Sequence, residues 1–185
     1  MLPQKIKGDK IYLQLLKAEA YAGLFFDNVL KNKEDLSAYL SWVLDISSEE
    51  DAFVHIDSYE MQFEIENGGL FGIFEQKTKT WIGCFYIHSI SLANETSSIG
   101  YFLFPEYRHR GFAKEALRIM SRTLLQFLNR IEVHTATTNE SSIHLLRSAG
   151  YQEEGICREY EKINGIFTDH IRFSLLKRDL TETLF

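Results

Sequence analysis

The sequence is poor in features that would place it in several classes of protein. It has two cysteines in 185 residues, Cys84 and Cys157, too few for a disulfide framework or a four-ligand metal site. We expect both to be buried apolar thiols. No apolar run approaches the ~18 residues of a membrane helix, and the opening MLPQKIKGDK has no apolar signal-peptide region. These absences predict a cytoplasmic protein with no membrane or metal requirement.

The chain also lacks an excess of basic charge. It carries 26 acidic and 20 basic side chains, for a formal charge of −6. A nucleic-acid binder would normally show a basic field, so we expect no nucleic-acid partner. A net negative charge instead favours attraction of a cationic molecule.

What the sequence does contain is typical of one globular domain. Apolar residues make up 45% of it and there are two prolines, which argues against disorder. No linker, repeat or low-complexity tract divides the chain, so we treat residues 1–185 as a single domain.

Hydrophobic periodicity predicts an alternation of strands and helices. Strands are expected at 10–16, 70–74, 81–88, 98–104, 131–136, 151–158 and 168–176, and helices at 18–30, from 48 to the stop at 67–69, at 113–128 and at 139–148. The consecutive middle strands imply antiparallel pairing, and the two later β–α–β steps imply crossovers. The predicted fold class is α+β, with a mixed, mostly antiparallel central sheet flanked by helices.

The segment that carries chemistry runs from Phe102 to Ala113. An apolar strand ends at a basic turn, and a long amphipathic helix begins near Gly111. Unpaired N–H groups at a helix start, with Arg108 and Arg110 beside them, form a candidate pyrophosphate site. A solvated loop that caps a core helix is the alternative. The glycine pattern matches neither a P-loop nor the dinucleotide fingerprint.

The order of residues in this segment resembles a known family. The pattern R-x-x-G-x-A at Arg108, Gly111 and Ala113 resembles the acetyl-CoA signature of the GNAT superfamily of N-acetyltransferases. N-x-x-S-x-x-L from Asn139, followed by A-G-Y at 149–151, looks like a second motif of that family. The stretches DL…YLSWV at 35–43 and YEKING…DH at 160–170 resemble the RimJ/RimL branch, whose members acetylate N-terminal amines of ribosomal proteins. The resemblance implies the GNAT fold and acetyl-CoA as cosubstrate.

The resemblance also implies which residues hold the cosubstrate. The backbone N–H groups of the turn would bind the pyrophosphate, the preceding strand would pair with the pantetheine arm, and a side chain at the next helix start would contact the cofactor. These residues are Arg108, His109, Arg110, Gly111, Phe112 and Ala113 for the turn, Phe102, Leu103 and Phe104 for the strand, and Asn139 for the helix start. Asn139 also suits an ordinary helix N-cap.

Two catalytic candidates follow from the same resemblance. The tyrosine that often protonates the leaving thiolate belongs at position 146, where this chain has Leu146. Ser142 is then the candidate acid, or a helix-start hydroxyl without a chemical role. Glu161 is the candidate base, or a surface carboxylate on a strand. The reaction that the resemblance implies is direct transfer of the acetyl group from the thioester to an amine. It needs a neutral amine, a polarised carbonyl and a proton donor for the thiolate.

Other residues are weaker candidates for the acceptor side. Tyr39 and Trp42 could line the acceptor pocket, although aromatic residues at that spacing are more often packing. Glu64 is a lesser candidate base. His55 lies on an apolar helix face and is more typical of a core histidine.

The acceptor is expected to be an N-terminal α-amine. An α-amine is neutral at pH 7 roughly 200-fold more often than a lysine, which suits a site with one carboxylate base. A small amine, such as a polyamine, a drug or an amino acid, is the alternative acceptor. The absence of a tyrosine at position 146 also leaves open a non-catalytic acyl-CoA-binding module. A homodimer is possible.

Overall fold

A computed structural model describes residues 2–180 as one twisted sheet with helices on both faces. The strands are β1 (Lys5–Lys7), β2 (Ile11–Leu15), β3 (Gly69–Glu75), β4 (Trp81–Ser91), β5 (Thr96–Leu103), β6 (Arg130–Ala136), β7 (Gln152–Ile163) and β8 (Ile166–Leu176). The helices are α1 (Ala18–Lys31), α2 (Lys33–Ser37), α3 (Glu49–Glu64), α4 (Phe112–Leu124) and α5 (Glu140–Ser148). A 3-10 turn at Ser41–Asp45 links α2 to α3.

The strand order is β1-β2-β3-β4-β5-β6-β8-β7. Among the described strands, neighbours are antiparallel except β5 and β6, which are parallel and joined through α4. The second crossover, through α5, carries the chain past β6 to β7, and β8 then inserts between them. The predicted mixed, mostly antiparallel sheet is confirmed.

The core consists of two apolar layers, one on each face of the sheet. Side chains alternate along a strand, so Phe85 and Ile87 pack with α4 and α5, whereas Cys84 and Tyr86 pack with α1 and α3. Because both faces are covered, the central strands are buried almost throughout rather than on alternate residues.

Three helices begin close to where the sequence predicts a helix start. Ser48 Oγ accepts the Asp51 N–H at 3.1 Å before α3, and Asn139 Oδ1 accepts the Ser142 N–H at 3.1 Å before α5. Gly111 precedes α4 with φ 83°, a left-handed conformation that strains most side chains.

Four local expectations were wrong or incomplete. Strand β1 was not predicted, because three exposed or half-buried residues give no apolar pattern. The last hairpin extends to a turn at Asn164 and Gly165, since β7 is an exposed, polar edge strand. That position also leaves Cys157 only partly buried, whereas Cys84 is fully buried. Helix α4 ends at Leu124, so Phe127 is 36% exposed rather than on the buried helix face.

Candidate active site

The parallel pair β5–β6 opens into a splay at the centre of the sheet. The two strands pair only from Thr96 to Ser98, opposite residues 130–132 of β6. Beyond that point β5 pairs with β4 and β6 pairs with β8. The backbone of residues 99–103 therefore faces a gap on its β6 side, where an extended molecule could add as a strand.

A cleft of about 670 Å³ lies at this splay. Ten of the residues predicted from the sequence line it: Tyr39, Phe102, Leu103, Arg108, His109, Gly111, Phe112, Ala113, Asn139 and Ser142. The lining residues that the sequence analysis missed are Asp35, Leu36, Ala38, Leu40, Tyr101, Lys114, Thr138, Glu140, Ser141 and Leu145. The cleft thus joins the α2 region, the basic turn and the start of α5.

The basic turn presents backbone N–H groups to one end of the cleft. The Glu115 N–H donates to the Gly111 carbonyl at 3.1 Å, so the N–H groups before it lie ahead of the regular helical bonds. A Cβ added to Gly111 would meet only Lys10 Nζ, at 3.9 Å. This open approach and the positive helix end suit an anionic group.

The Arg108 side chain is already engaged by the protein. Its Nε donates to the Leu103 carbonyl at 3.1 Å, and its two terminal nitrogens form a bidentate ion pair with Asp35 of α2. In this arrangement the guanidinium charge is balanced by a carboxylate that itself lines the cleft. Arg108 therefore ties α2 to the basic turn, and the turn's backbone is its more direct anion-binding element.

Ser142 is held on the wall of the cleft by two partners. Its backbone N–H donates to Asn139, and its Oγ lies 3.0 Å from the hydroxyl oxygen of Tyr101 on β5. Burial raises the pKa of the Tyr101 phenol, an effect that the Ser142 hydrogen bond opposes. Leu146, at the position where the wider family often has tyrosine, is fully buried in the core.

Glu161 projects from β7 toward the residues that follow α2. Its Oε1 accepts a hydrogen bond from Ser41 Oγ at 2.5 Å, and its Oε2 lies 3.5 Å from Nε2 of the buried His170. The Glu161 carboxylate also interacts electrostatically with His88. Loss of solvent contact lowers the pKa of His88, and the negative charge of Glu161 opposes that shift. Ser41 comes directly after the cleft-lining Leu40, so Glu161 lies beside the α2 side of the cleft.

An aromatic cluster packs beside the residues that follow α2. Trp42 stacks on His55 with ring centroids 4.7 Å apart and contacts Tyr86 and Phe102. Trp42 is thus part of the packing and does not line the cleft. Burial lowers the pKa of His55 to about 4, and its Nε2 lies 3.2 Å from the Tyr86 hydroxyl, as expected of a core histidine.

Of the remaining candidates, only Tyr39 lines the cleft. Its hydroxyl donates to the carbonyl of Thr138, another lining residue, at 3.4 Å. Phe104 is fully buried in the core, and Arg110 lies over the Tyr107 ring. Glu64, the last residue of α3, is exposed and does not line the cleft.

Neither a metal centre nor a membrane span is found in the described part of the chain. Across residues 2–180, no group of three or more His, Cys, Asp or Glu side chains could hold a metal ion. Over the same residues, no helix combines the length and apolarity needed to cross a bilayer.

Comparison with known proteins identifies the family. Residues 10–152 match the family model described as the acetyltransferase (GNAT) domain. The uncharacterized N-acetyltransferase p20 of Bacillus licheniformis is 35% identical over 138 residues, which cover 73% of this chain and 75% of p20.

Two solved structures share the fold at lower identity. RimL, a ribosomal L7/L12 alpha-N-protein acetyltransferase in complex with coenzyme A, superposes with a TM-score of 0.88 at 20% identity over 93% of this chain and 97% of its own. The microcin C7 self immunity acetyltransferase MccE, in complex with acetyl-CoA and AMP, gives 0.87 at 22% identity over 94% and 97%. The family match over most of the chain, the fold and the splayed strands agree: this chain belongs to the GNAT family of acetyltransferases.

Proposed function

We propose that this protein transfers the acetyl group of acetyl-CoA to the N-terminal α-amine of a protein. The observation that carries the proposal is the splay between β5 and β6, which opens into a cleft between the basic turn and the start of α5. Acetyl-CoA has the shape and charge for this cleft. Its pyrophosphate suits the N–H groups of residues 109–113, and its pantetheine arm suits the free edge of residues 99–103.

The roles of the catalytic residues follow from this placement. Glu161 removes a proton from the attacking amine, and Ser142 donates a hydrogen bond to the sulfur as the thioester breaks. Asn139 uses its Oδ1 to cap α5, so its amide nitrogen is the group left to contact the cosubstrate. The bond that forms is amide C–N and the bond that breaks is C–S, with the amine losing one proton and CoA gaining one.

The chemistry of the base favours an α-amine over lysine. One partly exposed carboxylate, Glu161, serves the acceptor, and such a base can act on the neutral fraction of an amine more readily than it can remove a proton from an ammonium. That neutral fraction is roughly 200-fold larger for an α-amine than for lysine at pH 7. The structural neighbour RimL, described as an alpha-N-protein acetyltransferase, supports the same acceptor class.

The test is CoA release from acetyl-CoA with three classes of amine. One class is a set of peptides with free α-amines beginning Ser, Ala or Met; the second is the same peptides blocked at the N-terminus and carrying lysine; the third is polyamines and amino acids. Release with free α-amine peptides, and a mass increase on the first residue, is expected. Release with only the third class would replace the proposal by a small-amine acetyltransferase. CoA binding without release on any amine would favour a non-catalytic acyl-CoA-binding module.

A further inference from the structure

The hydrogen bond between Tyr101 and Ser142 joins a buried phenol to a partly exposed serine, so its two possible directions are not equivalent. Within residues 2–180, the Tyr101 hydroxyl is hydrogen-bonded to one side chain, the Ser142 hydroxyl at 3.0 Å. The Tyr101 ring packs against Phe85 in the apolar layer, so leaving the phenolic proton without an acceptor would be costly. Ser142 is partly exposed and lines the cleft. The Ser142 proton can turn into the cleft, so this environment favours Tyr101 as the donor and Ser142 as the acceptor.

Two further observations favour a Ser142 proton that points into the cleft. The Asn139 side chain holds the Ser142 backbone N–H, which fixes the first turn of α5. Burial raises the pKa of Tyr101, so the phenol keeps its proton and remains a donor throughout the neutral range. When one lone pair of Oγ accepts the Tyr101 hydrogen bond, the Ser142 O–H is left to point into the cleft.

We propose that Tyr101 is a positioning residue that aims the Ser142 hydroxyl at the sulfur of the bound thioester. This inference rests on the proposed role of Ser142 in the reaction. As the C–S bond breaks, its electron pair moves to sulfur, and the Ser142 O–H stabilises the forming thiolate. The sulfur takes up one proton, and any proton given by Ser142 is replaced from water in the cleft. A phenol on β5 thereby supports the step for which position 146 of this chain carries no hydroxyl.

The experiment compares Tyr101→Phe, Ser142→Ala and the double variant, with Tyr151→Phe as the control. Tyr151 is a matched control because its buried hydroxyl also bonds to a serine, Ser121, at 2.8 Å, and it does not line the cleft. With acetyl-CoA and the free-α-amine peptides, we expect Ser142→Ala to lower kcat about 100-fold and Tyr101→Phe about 10-fold. The double variant should resemble Ser142→Ala, because Tyr101 acts only through Ser142. KM for acetyl-CoA should stay within about 2-fold, since neither hydroxyl binds the pyrophosphate.

A second measurement needs no acceptor. Calorimetric affinities for CoA and desulfo-CoA are compared at pH 7 and pH 9.5, on either side of the ~8.5 expected for an ordinary thiol. In the wild type, the affinity for CoA should rise relative to the affinity for desulfo-CoA as the CoA thiol ionises. Tyr101→Phe and Ser142→Ala should both lose most of that gain, whereas Tyr151→Phe should keep it.

The outcomes separate the two proposals. A wild type that releases no CoA with any amine overturns the proposed function, and the positioning role of Tyr101 with it. An active wild type whose kcat is unchanged in Tyr101→Phe overturns the role of Tyr101 alone. The role of Tyr101 is also overturned if the kcat losses of the two single substitutions multiply in the double variant, or if Tyr151→Phe loses as much activity as Tyr101→Phe.

Discussion

Gly111 allows the anion-binding turn to be tested separately from the stability of the fold. Its φ of 83° lies in the left-handed region, and an added Cβ would have a single neighbour, Lys10 Nζ at 3.9 Å. Replacement by alanine or by tryptophan therefore introduces the same backbone strain without a steric clash at Cβ. That strain is about 1–2 kcal/mol, or roughly 2–8 °C in the thermal midpoint of a domain of this size.

The two substitutions should differ in cosubstrate binding. The alanine Cβ leaves the N–H groups of the turn accessible, whereas the tryptophan ring would cover them. Losing two charge-assisted hydrogen bonds would cost about 3 kcal/mol, so we expect Gly111→Trp to weaken CoA binding about 100-fold and Gly111→Ala only a few-fold. Calorimetric titration with CoA, alongside thermal unfolding of both variants, measures the two effects. Equal CoA affinities in the two variants would refute the assignment of the pyrophosphate to this turn.

Substitutions at three further residues test the acceptor side and the core. Glu161→Gln should lower kcat at least about 100-fold, leave the CoA affinity unchanged and remove the acidic limb of the pH–rate profile. If its turnover equals that of the control variant Glu159→Gln, the base is a different residue. His55 has a folded-state pKa of about 4, below its ordinary ~6.5, so the unfolded chain binds more protons between these two pH values. The free energy of unfolding should therefore fall as pH drops through that window, by up to about 3 kcal/mol. Denaturant unfolding at pH 4 and pH 7 should show a smaller pH difference in His55→Gln, and an equal difference would contradict this role. Glu115 accepts the N–H groups of residues 9–11 at 2.5, 2.9 and 3.5 Å, so Glu115→Ala should cost about 1–3 kcal/mol of unfolding free energy and Glu115→Gln less, an order that chemical denaturation can check.

The features that the sequence reveals are those encoded within one short stretch of chain. The basic turn, its left-handed Gly111 and the cap at Asn139 each depend on neighbouring residues, and all three lie where the pattern predicts. Long strands and helices are equally visible, because their periodicity is local. Strand β7 shows the limit: its first part, 151–158, is predicted, but its exposed continuation to Ile163 has no alternation to reveal it.

The partners of the site residues could not be predicted in the same way. Tyr101 bonds to Ser142 across 41 positions of sequence, and Arg108 pairs with Asp35 across 73. Such contacts depend on strand register, and a shift of one residue would turn Tyr101 to the other face of the sheet. The sequence could therefore nominate Arg108 as a free phosphate ligand, but only the fold shows that its charge is balanced by Asp35.

The same difference explains why the acetyl donor is easier to infer than the acceptor. The matched family segment, residues 10–152, contains the splay, the basic turn and Ser142, but it ends before Glu161. In the proposed site, the acceptor side is formed where residues 37–41 meet the β7–β8 hairpin: Asn164 Nδ2 donates to the Ser37 carbonyl at 3.0 Å, and Ser41 donates to Glu161. These contacts join two segments, of which the hairpin lies beyond the residues that the family model matches. Acceptor preference can therefore change through the hairpin while the donor cleft is preserved, which is how one acetyl-CoA scaffold could serve different amines.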